Sequence, residues 1–364
     1  MAVRGSTGGA TPGTESQGVH GALARARRAV DGPFAPAGPG RGLVSFRRCT
    51  GLLACTVGGS LVVIVVFLAI YAWPAARLNG RAFLVKNDWN LGSLYADPVT
   101  IHGQQILPGA SYGILFLLVG TLLSTALALA LAVPVGVGAA IFLAEGVPSA
   151  LRPWISLFVE LLAAIPSVVY GLWGYVAVIP LLDHHVIPFM VRRLGFIPFL
   201  GGPEGSGYGL LAAAVVLALM VVPLITATLR DALVSQPAAL REAALALGAS
   251  RFEALRMALL PGVRRVLIGS SILATGRALG ETMAVLMVSG NALNYLPTNL
   301  YTPISTMASF IVSQLDSALQ DPTGMAVRSL AEVALVLCVL SVAVNSLARI
   351  LLYYEGRLAR RVAE

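Results

Sequence analysis

An arginine and a glutamate interrupt a long apolar run of this sequence. Arg277 and Glu281 are the charged residues of the run 266–290, and they have the i,i+4 spacing at which two helical side chains meet. A guanidinium offers paired N–H donors that suit a tetrahedral oxyanion. Gly276 and Gly280 form a Gly-x-x-x-Gly pair beside them, which lets a neighbouring helix approach closely. The pattern favours either a pair that handles an anion or a buried ion pair that only orders helix packing.

Few other residues could take part in binding or catalysis. Glu160 and Glu332 each stand in an apolar run, where we expect interhelical hydrogen bonds rather than contact with a substrate. Pro166 is expected to kink its run and to affect helix packing. His184 and His185 are adjacent and have no nearby cysteine or spaced set of carboxylates, so they form a poor metal site. We therefore expect no metal, no cofactor and no catalytic residue.

The composition indicates what kind of protein holds these residues. Of 364 residues, 57% are hydrophobic and 12% are charged, whereas an average soluble domain is roughly 25% charged. The net charge of +8 could indicate nucleic acid, but Lys86 is the single lysine and the arginines lie mostly in short gaps between apolar runs. That distribution is typical of membrane topology. The three cysteines exclude a disulfide scaffold. The composition predicts a polytopic membrane protein with no nucleic-acid partner.

Six apolar runs are long enough to cross a bilayer, because a spanning helix needs about 20 apolar residues. We predict an all-α membrane bundle with spans at about 51–73, 113–144, 153–182, 208–229, 266–290 and 329–348.

The flanking segments set the expected orientation. With both termini inside, the inner segments hold 18 Lys and Arg residues and the outer segments hold 6, as the positive-inside rule requires. Residues 1–50 are rich in Gly, Pro, Ala and Arg and are expected to form a disordered basic cytoplasmic arm. Residues 51–355 form the six-span domain, and 356–364 are expected to form a cytoplasmic tail.

The segment 235–261 predicts two short helices joined by a glycine turn. Gly248 is well placed as a left-handed stop for the first helix. Ser250 and Glu253 have the spacing of a capping box at the start of the second. Pro261 is expected to end the second helix before the fifth span. Two short helices on the cytoplasmic face have only the bundle or another protein to pack against.

This segment resembles the EAA loop of ABC importer permeases. The matching residues are Glu242, Ala243, Ala244 and Gly248, followed by Leu260 and Pro261, while Ala258 departs from the Ile of the consensus. In that family the loop docks in a groove of the ATPase subunit. The sequence has no G-x-x-x-x-G-K-[ST] phosphate loop, so the resemblance implies an ATPase on a separate chain.

Two further stretches resemble the permease C (PstC type) subunit of the phosphate-specific importer. They are 160–174, ELLAAIPSVVYGLWG, and 276–291, GRALGETMAVLMVSGN. The resemblance implies a MetI-like permease in a bacterial cell membrane, with Arg277 and Glu281 in the translocation path. It also implies a heterodimer with an A-type permease, a dimer of ABC ATPase subunits, an extracytoplasmic phosphate-binding protein, and phosphate as substrate.

Three alternatives remain open at this point. Sulfate or molybdate would present the same tetrahedral oxyanion chemistry to an arginine. A secondary transporter would explain membrane charges by ion coupling, but it leaves the EAA-like segment unexplained and predicts internal repeats that are not visible. A membrane enzyme would need a nucleophile or metal constellation, and the four histidines lie in unrelated segments outside the spans.

Overall fold

The computed structural model describes residues 41–148, 150–203 and 205–363, and the expected disordered arm lies outside the described residues as far as residue 40. The chain divides into two units, Met1–Ile64 and Val65–Glu364. Helix α1 runs from Arg41 to Asn79. In the first unit, the side chains of 50–64 are almost all exposed and apolar, as expected of a helix that faces lipid.

Within the described residues, six helical stretches are long and apolar enough to cross a membrane, and they confirm the predicted six-span all-α fold. They are Thr50–Asn79, Leu115–Gly146, Ser167–Leu194, Leu210–Val234, Arg251–Leu279 and Met325–Ile350.

The third span differs from the predicted 153–182 because the helix is interrupted at Pro166. Helix α4, Arg152–Ala164, ends at Ile165, which is extended with ψ 132°. Pro166 is also extended, with ψ 140°, and α5 begins after it at Ser167. A proline restricts the preceding residue to extended conformations, so the expected kink is a full interruption. The helical stretch then continues to Leu194 through the elements α5 (Ser167–Trp173), α6 (Ile179–Leu181) and α7 (Ile187–Leu194), joined by π turns at Gly174–Val178 and Leu182–Val186.

The fifth span begins earlier than predicted and stops near its expected middle. Helix α10, Arg251–Ala254, runs through a π turn at Leu255–Leu259 into α11, Leu260–Leu279. The prediction that Pro261 ends a helix is therefore wrong. Pro261 lies in the first turn of α11, where a missing N–H is tolerated. Helix α12, Met283–Val288, follows after a gap of three residues.

Two helices form the centre of the second unit. Helix α3, Leu115–Ile141, presents Ala128, Ala132, Gly136 and Ala140 at four-residue intervals, and all are buried. Helix α8, Leu210–Val234, is the most buried of the candidate spans. A Cβ added at Gly136 would lie 2.9 Å from Ile225 Cγ2, so the small residues of α3 let α8 approach closely.

Short strands, which the all-α prediction omitted, lie between α1 and α3. After α2 (Ala82–Val85), β1 (Trp89–Asn90) pairs with β4 (Ser111–Tyr112), and β2 (Val99–Ile101) pairs with β3 (Gln104–Ile106), both antiparallel. The Trp89 ring meets Phe310 edge-on with centroids 5.0 Å apart. Asn294 accepts from Trp89 N at 2.6 Å and donates to Trp89 O at 3.1 Å. These contacts attach the strands to the segment that follows α12.

The remaining helices complete the bundle. They are α9 (Ala238–Ala246), α13 (Met307–Leu319) and α14 (Met325–Ala363). Helix α14 extends beyond the predicted sixth span of 329–348 and includes most of the predicted tail 356–364.

Candidate functional site

Arg277 and Glu281 do not form the pair that their spacing suggested. Arg277 lies in the last turn of α11, which ends at Leu279 with Gly280 as its C-terminal cap. The Glu281 carboxylate instead accepts from Ala284 N at 3.5 Å, at the start of α12. Among the residues that the structure describes, no ion pair includes Arg277. Because the helix ends between the two residues, the i,i+4 relation does not exist.

The two glycines beside Arg277 have different surroundings. A Cβ added at Gly276 would lie 3.3 Å from Asn345 Nδ2 on α14, so this glycine stands at a close helix contact. At Gly280 an added Cβ would meet only the backbone of its own helix, at 3.7 Å or more. Gly280 therefore ends α11 rather than packing against a neighbour.

The structure brings Arg277 close to the interruption at Pro166. The Tyr170 hydroxyl donates to Leu162 O at 2.8 Å and so bridges the break between α4 and α5. The same hydroxyl lies within electrostatic range of the Arg277 guanidinium. Beside it, α5 packs closely on α12, since a Cβ at Gly171 would lie 3.0 Å from Ala284 Cα. Two interrupted spans and one arginine without an ion pair thus share one region of the bundle.

Glu160 lies in a separate cluster. Arg230, at the end of α8, is 9% exposed, and its Nη2 donates to Glu160 Oε1 on α4 at 3.1 Å. The Arg230 Nε donates to Asp231 Oδ1 at 3.0 Å. The Nη1 of Arg230 is buried and has no hydrogen-bond partner among the described residues. This cluster ties α4 to α8 and does not involve Arg277.

The EAA-like residues lie on a helix with no buried side chain. Glu242, Ala243 and Ala244 belong to α9, whose residues are all exposed or only half-buried. Gly248 has φ +87°, its N–H donates to Leu245 O at 3.0 Å, and Ala249 N donates to Ala244 O at 3.2 Å. This bonding pattern is a Schellman motif.

The second helix of the segment has the predicted capping box. Ser250 N donates to Glu253 Oε2 at 2.8 Å, and Glu253 N donates to Ser250 Oγ at 3.3 Å. Near this turn, Leu247 is 90% exposed and Phe252 is 69% exposed. Capped, exposed and partly apolar, the two helices form a surface that the described chain does not cover.

Sequence reasoning missed the ion pairs that hold these elements. Arg241 on α9 pairs with Glu145 in the π turn Phe142–Gly146 at the end of α3. The sequence indicated no role for Arg230 and Arg241 beyond their positive charge in the count of inner and outer Lys and Arg residues. The signal available was that Glu160, near the start of one apolar run, and Arg230, just after the end of the next run, both lie on the predicted inner side.

Residues 132–354 match the protein family described as "Binding-protein-dependent transport system inner membrane component". The match includes both interrupted spans, Arg277, and the segment 235–261. The chain belongs to this family. As a member of this transport-system family, it is a multi-pass membrane protein, and six apolar helices agree with that.

Individual relatives carry more specific names. The chain is 44% identical over 283 residues to "Phosphate transport system permease protein PstC 1" of Mycobacterium tuberculosis, over 77% of this chain and 84% of the relative. It is 36% identical over 312 residues to "Phosphate transport system permease protein PstC" of Haemophilus influenzae, over 84% and 92%. These relatives confirm the resemblance first seen in 160–174 and 276–291.

Among solved structures, the chain is similar to a bacterial ABC transporter involved in the import of the acidic polysaccharide alginate. The sequence identity is 15% and the TM-score is 0.48, over 85% of this chain and 99% of that one.

Proposed function

We propose that this chain is a permease subunit of an ATP-driven importer for inorganic phosphate and forms half of its translocation path. The observation that carries the proposal is the 44% identity to a relative named as a phosphate transport permease, over 84% of the relative's length. The chain supplies the path and does no chemistry of its own. A second, A-type permease supplies the other half, and an extracytoplasmic binding protein delivers the phosphate.

The energy enters through the two short helices of the segment 235–261. An exposed, capped helical pair with apolar residues at its turn is suited to a groove on another protein. We place a dimer of ABC ATPase subunits there, because the sequence has no phosphate loop of its own. This places α9 and both termini in the cytoplasm, in agreement with the arginine distribution.

Arg277 supplies the anion chemistry of the path. A guanidinium within a span must meet a polar partner or a wet path, because the hydrocarbon does not solvate it. No carboxylate of the described residues neutralises it, so its N–H donors stay available to a passing oxyanion. Glu281 lies in the gap between α11 and α12 and keeps the empty path closer to neutral, which favours release.

Uptake by the assembled complex tests the proposal. The chain is co-expressed with an A-type permease and an ABC ATPase from the same organism, purified by a tag on this chain and reconstituted into vesicles. We expect an ATPase to co-purify and radiolabelled phosphate to enter only with ATP and binding protein. ATP-driven uptake of radiolabelled sulfate or molybdate without uptake of phosphate would reassign the cargo. Uptake by the isolated chain without nucleotide would identify a secondary transporter instead.

A further inference from the structure

A second basic site lies at the end of the bundle that carries α9, away from Arg277. A cavity of about 230 Å³ opens there between the end of α3 and the starts of α4 and α10, beside α9. One water needs only about 15 Å³ of such volume. Arg152, Arg241 and Arg251 line the cavity, with Glu145 as the one acidic residue. Three guanidinium groups against one carboxylate leave an excess of two positive charges.

The hydrogen bonds of these arginines are incomplete. Arg152 donates through Nη2 to Val147 O at 3.4 Å, but its Nε is buried and has no partner among the described residues. Arg241 pairs with Glu145, and the ion pairs of the described residues do not include Arg251. A buried donor without an acceptor is unfavourable, and an oxygen that reached Arg152 Nε would relieve it.

The helix that contributes Arg152 to the cavity also carries exposed apolar side chains. On α4, Trp154 and Phe158 follow Arg152 and are each 65% exposed. An exposed tryptophan beside an arginine is typical of the membrane interface. A second cavity of about 150 Å³ shares Arg152 and Arg241 with the first and reaches Gln236, two residues before α9. A group from the interface and a free anion can therefore both reach the same arginines.

We propose that this cavity binds a phosphoryl group through Arg152, Arg241 and Arg251. A phosphoryl group offers several strong acceptor oxygens, and basic pockets between spans suit lipid headgroups of this chemistry. The group joins α4 to α9 and α10 and so braces the α9 segment against the spans. Glu145 competes with it for Arg241. The source is either an anionic phospholipid headgroup or free inorganic phosphate.

Binding measurements on the full chain in lipid nanodiscs distinguish these sources. The parent for these measurements is the chain with Arg277→Gln, and every variant is made in that parent, so that any anion held on the proposed path does not contribute. In the first arm, nanodiscs of phosphatidylcholine alone are titrated with inorganic phosphate. In the second arm, chain purified in the presence of phosphatidylglycerol is examined for retained lipid by native mass spectrometry. The source is identified by the arm in which the parent binds. In that arm we expect Arg152→Gln and Arg241→Gln to weaken binding about tenfold or more.

Two further variants make the result specific. Arg192→Gln on α7 removes an exposed arginine far along the sequence from the cavity and is expected to bind like the parent. Glu145→Gln removes the competing carboxylate and is expected to tighten binding, which a purely structural role would not produce. Equal binding by parent, Arg152→Gln and Arg241→Gln in both arms would overturn the proposal. A loss in Arg192→Gln as large as in Arg152→Gln, or weaker binding by Glu145→Gln, would overturn it too.

Discussion

At the scale of single residues, the most informative feature is that Arg277 forms no ion pair with Glu281, the acidic residue four positions along the chain. Arg277 lies in the last turn of α11, within an apolar run, where a charge that meets neither water nor a polar partner is costly. Glu281 does not offset this, because its carboxylate faces Ala284 N. We propose that this charge is used in transport rather than in helix packing, and the two roles predict different results for a substitution.

Arg277→Gln removes the charge and keeps a polar side chain of similar reach. We expect phosphate uptake by the assembled complex to fall at least about tenfold, since the variant loses a charge-assisted contact to the anion. Co-purification of the ATPase and membrane insertion should stay normal. Arg192→Gln is the control with the same change of charge. Undiminished uptake by Arg277→Gln would leave the arginine only a packing role.

The Glu160 and Arg230 contact makes a separate prediction about stability. Glu160→Ala removes one acceptor from the nearly buried Arg230 guanidinium, but Asp231 Oδ1 still accepts from the same Nη2, so the chain should lose about 1 kcal/mol of stability. Glu160→Gln keeps an acceptor oxygen at the same place and should lose less. Thermal unfolding of the purified chain in detergent measures both. Equal unfolding temperatures for Glu160→Ala and the parent would show that the contact does not support the fold.

At the scale of elements, α9 is held by local devices rather than by burial. Its end is fixed by the Schellman motif at Gly248, and the next helix starts at the Ser250 capping box. The contact to the bundle includes the ion pair between Arg241 and Glu145. An element ordered in this way keeps its shape while its outer face stays free for a partner.

Glu242→Lys tests that outer face. The side chain is exposed, so the substitution should leave the fold intact and disrupt the docking that we propose for the ATPase. We expect ATP-driven uptake to be lost while the chain still inserts, with the ATPase released or its hydrolysis uncoupled. Asp97→Lys makes the same change of charge at an exposed residue before β2 and should transport normally. Wild-type uptake by Glu242→Lys would remove the coupling role.

At the scale of the whole molecule, close approach of backbones holds the second unit together. Gly120 on α3 has no room for a side chain, because an added Cβ would lie 2.2 Å from Ser305 O. Thr121 Oγ1, the next residue, accepts from Met307 N at 2.9 Å at the start of α13. The seam between α3 and the start of α13 therefore depends on this glycine.

Gly120→Ala should destabilise the chain by about 1–3 kcal/mol, the usual effect of overpacking, and lower its unfolding temperature in detergent. Gly138→Ala in the same helix is the matched control. An added Cβ there meets nothing within 4 Å, and alanine favours the helix by about 1 kcal/mol, so this variant should be as stable as the parent or more so. If both variants unfold at the same temperature, the seam is not close-packed as described.

The sequence by itself determined the class of protein, the number of spans and the two capped helices of the segment 235–261. These properties follow from local rules, because apolar run length selects membrane crossing and because glycine and capping residues act within one turn. The motifs in 160–174 and 276–291 likewise led to the correct family without any coordinates.

Only the tertiary structure decided where the spans break and which charges meet. Pro166 and Gly280 each stand inside an apolar run that reads as continuous, yet the helices end beside them. Arg230 meets Glu160, and Arg241 meets Glu145, across 70 and 96 residues of sequence. Spacing along the chain predicts contacts only while one helix continues. Once a helix ends, packing between distant elements sets which side chains come together.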